Sequence, residues 1–79
     1  MKKSLATIFG EVLKELRKEA GISQEQLAYE CELDRSYISM LERGLRIPTL
    51  DTLFKIAVPF NKAPFEIIKM VEQKFSNNK

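Results

Sequence analysis

Apolar residues recur along this chain at intervals of three and four positions, which is the period of an amphipathic α-helix. The first segment carries one such stripe, made of Leu5, Ile8, Phe9, Val12, Leu13 and Leu16. Ser4 precedes the stripe as a plausible N-cap, and Gly21 follows it and can adopt the left-handed conformation that ends a helix. Gly10 costs this helix about 1 kcal/mol relative to alanine. Its presence therefore indicates a close approach by another backbone.

Two shorter helices follow, and both have start signals. Ser23 and Gln26 stand three positions apart, as the N-cap serine and the N3 glutamine of a capping box. The turn Glu32–Leu33 separates this second helix from the third, for which Asp34 is the N-cap. The third helix is expected to stop at Gly44. The pattern thus predicts two short helices joined by a tight turn between residues 23 and 44.

Proline positions bound the last two helices. Thr49 is the expected N-cap of the fourth helix, and Pro59 cannot continue it, so the helix should end at about Val58. Pro64 suits the first position of a fifth helix over residues 64–75. The sequence therefore predicts an all-α fold of five helices in a single domain spanning residues 1–79.

Composition narrows the chemistry that this domain can perform. The chain has 79 residues, a net charge of +2, one cysteine and no histidine. Cys31 alone cannot form an intrachain disulfide or, without histidine, a zinc finger. No glycine-rich phosphate loop or nucleophile–base arrangement occurs, so we expect no enzyme activity, no catalytic residue, no cofactor and no metal site. We see no signal peptide or membrane span and expect a cytoplasmic protein.

The positive charge is unevenly distributed. Three of the four arginines, Arg35, Arg43 and Arg46, fall within twelve residues, and no acidic residue occurs from position 43 to 50. Arginine is suited to bidentate contacts with guanine edges and phosphates. On charge alone, this region is equally well explained as a DNA-contacting surface or as a solvated basic loop.

Three runs of the sequence, residues 23–28, 33–44 and 46–50, resemble the helix-turn-helix of phage-repressor type. This is the large family of Cro- and repressor-like (XRE-like) bacterial regulators. The resemblance covers about residues 7–60, and its marker residues fall at the family's spacings: Ser23, Ala28, Ile38, Glu42, Gly44 and Pro48. The run Leu27-Ala28-Tyr29, the run 33–39 and Arg46 also resemble the controller proteins of restriction–modification systems. Those are stand-alone repressor-like domains that end in one dimerising helix.

The resemblance implies that the second motif helix, residues 35–43, enters the major groove of DNA. Arg35 is the expected base contact, because its fork can bind guanine O6 and N7 together. Ser36 and Ser39 could bond to a base or a phosphate. Met40 has no hydrogen-bond donor, which leaves only apolar contact with a thymine methyl group. Tyr37 either packs on the domain or reaches the DNA.

Other contacts would hold the DNA backbone. Helix N-termini attract phosphates, and the resemblance assigns this role to Gln24 and to Thr49, at the starts of the second and fourth helices, and to Arg43. Arg46 resembles the second DNA-contacting arginine of the controller proteins, with a phosphate clamp as the alternative. In the family, Arg17 and Glu42 commonly form an internal ion pair, so for these two we predict a structural role.

The fifth helix carries more apolar residues than one stripe requires, namely Phe65, Ile67, Ile68, Met70, Val71 and Phe75. An extra apolar face on a terminal helix predicts a homodimer. The alternative is a helix absorbed wholly by its own core. A two-fold dimer would present two recognition helices about 34 Å apart to a pseudo-palindromic operator.

The expected function is sequence-specific regulation of transcription. The controller-protein resemblance implies a protein that activates and represses its own operon, with an acidic surface on the first two helices that could touch RNA polymerase. A phage or general repressor is one alternative. An antitoxin, whose main partner is a toxin, is another.

Overall fold

The computed structural model describes residues 2–78, and in this range the chain is all-helical, as predicted. Its helices are α1 Leu5–Glu19, α2 Gln24–Cys31, α3 Arg35–Glu42, α4 Leu50–Ala57 and α5 Pro64–Asn77. A 3₁₀ turn, Val58–Phe60, contains Pro59 and follows α4. Helix α5 runs two residues beyond the predicted end. Within residues 2–78, no helix is both long enough and apolar enough to cross a membrane.

Three of the helix starts are capped by the side chains that the sequence indicates. The hydroxyl oxygens of Ser4, Ser23 and Thr49 each accept a hydrogen bond from the backbone N–H three residues further on, at 3.0–3.1 Å. Each bond satisfies one of the N–H groups that the first turn of a helix leaves without a partner. These caps fix the boundaries of α1, α2 and α4.

Two details of the predicted caps differ. The Gln26 side chain donates to Glu30 at 2.8 Å instead of returning to the backbone of Ser23, so the predicted capping box is wrong. The carboxylate one turn ahead is a charged acceptor, and charge-assisted bonds are the stronger ones. Asp34 occupies the N-cap position of α3, but its side chain makes no capping hydrogen bond.

Gly10 and Gly44 allow α1 to lie directly against the C-terminal end of α3 and the turn that follows it. A Cβ atom at Gly10 would lie 2.5 Å from the carbonyl oxygen of Leu41 and 2.7 Å from that of Glu42. Gly44 has a φ of +76°, and a Cβ there would lie 2.8 Å from Oγ1 of Thr7. The close approach inferred from Gly10 is therefore present, and it leaves the position of α3 little freedom.

The core is shared by all five helices. Its most deeply buried side chains are Ile8, Val12, Leu13, Leu27, Ile38, Leu41, Ile56 and Ile67. Cys31 is buried beside them, and this burial, with a smaller contribution from Glu30, raises the pKa of its thiol to about 11. At neutral pH the thiol is therefore protonated and packs as a small apolar group.

Helix α5 divides its apolar residues between two faces. Ile67 and Val71 are only 1% and 6% exposed, and Met70 is half-buried against the core. Ile67 packs wholly on its own domain, so the prediction that it forms a dimer interface is corrected, whereas Met70 and Val71 pack on the core and keep some exposed surface. The remaining three predicted residues stay exposed: Phe65, Ile68 and Phe75.

Candidate DNA-binding interface

A tight turn sets the relation between α2 and α3. Glu32 adopts the left-handed conformation, with φ 58° and ψ 43°. The N–H of Leu33 then donates to the carbonyl oxygen of Ala28 at 2.9 Å, which closes the end of α2. Three residues after Glu32, at Arg35, the chain starts α3. Leu27 on α2 and Ile38 on α3 are both fully buried, so the two helices share one anchor in the core.

Helix α3 presents a polar face opposite its buried side. Arg35 and Ser36 are exposed, and Ser39 and Met40 are partly exposed. Arg43 is the exposed C-cap residue, and its Nε–H donates to the carbonyl oxygen of Ser39 at 3.4 Å. Positions 36, 39, 40 and 43 follow the helical i, i+3, i+4, i+7 spacing, so their side chains share one outward face.

Three further predicted contact residues lie off this outward face of α3. Tyr37 is half-buried, and its ring packs against the core, as one of the two predicted alternatives requires. Arg46 is exposed in the loop between α3 and α4. Thr49 lies beyond that loop, and its hydroxyl is engaged at the start of α4, where it accepts from the N–H of Thr52.

An ion pair joins the end of α3 to α1. Nε of Arg17 lies 2.6 Å from Oε2 of Glu42, and Nη2 lies 3.1 Å from Oε1. The hydrogen bond to this carboxylate raises the pKa of Arg17, while burial opposes the shift. The two side chains are 12% and 3% exposed. Glu42 therefore acts in the scaffold, although it lies in a basic stretch of the sequence.

The same carboxylate also binds the first residue of α2. Nε2 of Gln24 donates to Oε1 of Glu42 at 3.0 Å, and Nη1 of Arg17 donates to the carbonyl oxygen of Ile22 at 2.9 Å. The sequence does not indicate the bond to Gln24, because residues 24 and 42 are distant along the chain. Side chains of α1, α2 and α3 thus meet at one polar cluster behind the recognition helix.

An open apolar groove of about 540 Å³ lies on another side of the domain. We call it the α4–α5 groove, and its apolar lining is Leu5, Phe9, Ile47, Pro48, Leu50, Leu53, Ile68, Val71 and Phe75. Phe54, Val58 and Phe65 extend the exposed apolar surface of α4, the 3₁₀ turn and α5. The contribution of α4 to this exposed apolar surface is not predicted by the sequence analysis. Its signal is the i, i+4, i+8 spacing of Leu50, Phe54 and Val58, a second stripe beside the buried one.

Comparison with known proteins agrees with this geometry. The helix-turn-helix family model matches residues 13–67, which is most of the chain. The chain belongs to this family, in its XRE-type branch, and is a DNA-binding transcriptional regulator.

Within the family, the most informative similarities are to restriction–modification controller proteins. The control protein C.BamHI of Bacillus amyloliquefaciens is 36% identical over 69 residues, with 86% of this chain and 85% of that protein covered. The crystal structure of the controller protein C.AhdI from Aeromonas hydrophila has a TM-score of 0.76 at 42% identity, covering 78% of this chain and 94% of that one. The controller protein C.Esp1396I, solved as a tetramer with its natural 35 base-pair operator, has a TM-score of 0.81 at 32% identity, covering 94% and 97%.

Proposed function

We propose that the protein is the controller of a restriction–modification system, which binds operator DNA as a homodimer and both activates and represses its own operon. The observation that carries this proposal is the extent of the similarity. Nearly the whole length of C.BamHI and of C.AhdI is covered, and not the helix-turn-helix alone. A longer repressor that shared only the motif would match over its DNA-binding part only.

In this proposal the exposed face of α3 lies in the major groove. Arg35 is at the first position of the helix, where a recognition helix contacts base edges. Ser36 and Ser39 donate to bases or phosphates beside it. The ring of Tyr37 packs on the domain, and its contribution to DNA binding is secondary. Arg46 extends the interface from the loop that follows α3.

The phosphates on either side would be held by helix N-termini. Gln24 begins α2 and Thr49 caps α4, and each helix end offers free backbone N–H groups to an anion. Because its amide is held by Glu42, Gln24 meets the phosphate from a fixed position. Arg43 adds a charge contact at the other end of α3. Such contacts set the register of the protein on DNA without conferring sequence preference.

The α4–α5 groove is the proposed dimer interface. Leu50 and Phe65 are 73% and 71% exposed, and Ile68 lines the groove at 47%. Clustered apolar side chains of this size are typical of an interface, whereas isolated ones are common on any surface. In a dimer with its two-fold axis at this groove, the grooves of both protomers are buried in one interface, since an isologous interface uses the same patch of each subunit.

Activation would require a second partner. Glu19, Glu25 and Glu30 are exposed on α1 and α2. We assign this acidic surface to contact with RNA polymerase bound beside the operator.

Selection from a pool of random DNA duplexes tests the proposed function. The expected result is an enriched pseudo-palindromic site whose half-sites are centred about 10–10.5 base pairs, one helical turn, apart. In-vitro transcription from a promoter that carries this site then measures activation and repression. Failure to enrich any palindromic site would contradict the regulator proposed here.

Changing Ile68 to aspartate should weaken the dimer. Burial of an unpaired polar group costs about 1–3 kcal/mol, and the two-fold axis doubles this cost, so the dimer dissociation constant should rise by about 30-fold or more. Gln73→Asp is the matched control, because Gln73 is exposed on the same helix and does not line the groove. Sedimentation velocity measures the dissociation constant. Equal dissociation constants for the two variants would exclude this groove as the interface.

A further inference from the structure

Leu45 is an exposed apolar residue that the proposed dimer does not explain. Its side chain is 60% exposed, and it is not among the residues that line the α4–α5 groove. It follows Gly44 and lies between Arg43 and Arg46, which are both exposed. A single exposed leucine needs no explanation on most surfaces. This one lies inside the basic stretch that forms the proposed DNA interface.

The backbone holds Leu45 in a defined place at the end of α3. The N–H of Gly44 donates to the carbonyl oxygen of Leu41 at 3.1 Å, and the N–H of Leu45 donates to that of Met40 at 2.9 Å. These two bonds, with Gly44 in the left-handed conformation, form a Schellman motif. In this motif the residue after the glycine commonly makes an apolar contact with the residue five positions earlier. For Leu45 that residue is Met40.

Met40 lies on the outward face of α3. It shares this face with Ser36, Ser39 and Arg43 by helical spacing, and it is half-exposed. Leu45 and Met40 together therefore add an apolar patch to a surface that is otherwise polar and basic. We call these two residues the apolar pair. Neither side chain has a hydrogen-bond donor, so the pair cannot distinguish bases by hydrogen bonding.

We propose that the apolar pair contacts thymine methyl groups in the major groove and that Leu45 is a specificity-determining residue contributed by the loop. Thymine is the base that presents a methyl group in the major groove, and apolar side chains recognise it there. Burying the methyl against two apolar side chains favours thymine over cytosine at that position. This inference rests on the proposed function, because it requires the outward face of α3 to lie in the major groove.

Replacement of single thymidines by deoxyuridine tests the proposal, since it removes the methyl group and keeps the base pairing. The probe is the duplex that the wild-type protein enriches from a random pool. At one thymidine in a single half-site, deoxyuridine should weaken wild-type binding by about fourfold, which corresponds to about 0.8 kcal/mol for one buried methyl-sized group. Leu45→Ala should bind the thymidine duplex more weakly and lose most of this discrimination. Leu45→Met keeps an apolar side chain of similar size and should retain it.

The outcomes separate this inference from the proposed function. Circular dichroism should show all variants folded, because Leu45 is largely exposed. If the enriched duplex binds equally well with deoxyuridine at every position, or if Leu45→Ala discriminates as well as the wild type, the inference is refuted while the regulator remains. If no duplex is enriched by the wild type, the proposed function fails and the inference fails with it.

Discussion

Replacing Arg35 with alanine should remove the protein's preference for one base pair in each half-site of its operator. Arg35 is the first residue of α3, and its side chain is exposed. The side chain of the preceding Asp34 makes no capping hydrogen bond, so the backbone N–H groups of the first turn are not engaged by it. A bidentate arginine–guanine contact discriminates by about 1–3 kcal/mol, or about 5- to 150-fold, at each half-site. Titration of the variant against the enriched duplex and its single-base variants measures this loss.

Arg43→Ala is the matched control for that experiment. Arg43 carries the same charge at the other end of α3, where we assign it to a phosphate. Its loss should weaken binding to all duplexes by a similar factor and lower the salt-dependence slope by about 1 for each protomer, or about 2 for the dimer. If Arg35→Ala left the sequence preference unchanged, residues 35–43 would not be the recognition helix.

The local structure of this chain could be predicted from the sequence because its signals act over short distances. Ser4, Ser23 and Thr49 cap the helices that follow them, since each hydroxyl needs only the N–H three residues ahead. Pro59 ends α4 because it has no N–H to donate. Gly10 predicts a close backbone contact without identifying its partner, because a glycine inside a helix otherwise destabilises it.

Contacts between distant segments could not be predicted in the same way. The apolar residues of α5 lie on two faces of the helix, but their spacing along the sequence does not show which face packs on the core. Ile67 is therefore among the residues predicted to form the dimer interface, although it packs wholly on its own domain. In the same way, the spacing of apolar residues in α4 does not show whether Leu50 and Phe54 are covered. Only the packing of α4 beside α5 shows that their side chains remain uncovered.

The position of the recognition helix depends on a polar cluster as well as on the core. Arg17 and Gln24 both bind the carboxylate of Glu42, so α1, α2 and α3 are held by one acidic side chain. Because Glu42 ends α3 and Gln24 begins α2, this cluster fixes the recognition helix relative to a proposed phosphate contact. A change at Glu42 should therefore affect both the fold and the geometry of the DNA interface.

Changing Glu42 to alanine should lower the free energy of unfolding by about 3–5 kcal/mol, because it leaves the buried Arg17 without its counter-charge. A loss of this size is a large part of the total stability of a small domain. Urea denaturation followed by circular dichroism measures it. The double variant Arg17→Met, Glu42→Leu should recover much of the loss, since replacing both partners of a buried pair by apolar residues is often neutral.

An exposed ion pair provides the comparison for this prediction. Glu15 on α1 lies 3.1 Å from Nζ of Lys74 on α5, with side chains 52% and 38% exposed. Glu15→Ala should cost no more than about 1 kcal/mol, because solvent screens an exposed pair and ordering its side chains offsets the attraction. The two carboxylates differ in burial, and Glu42 also accepts hydrogen bonds from two nitrogens of Arg17 and from Gln24. If Glu42→Ala cost no more than Glu15→Ala, burial would not be what makes the Arg17–Glu42 pair important, and the cluster would not hold α3 in place.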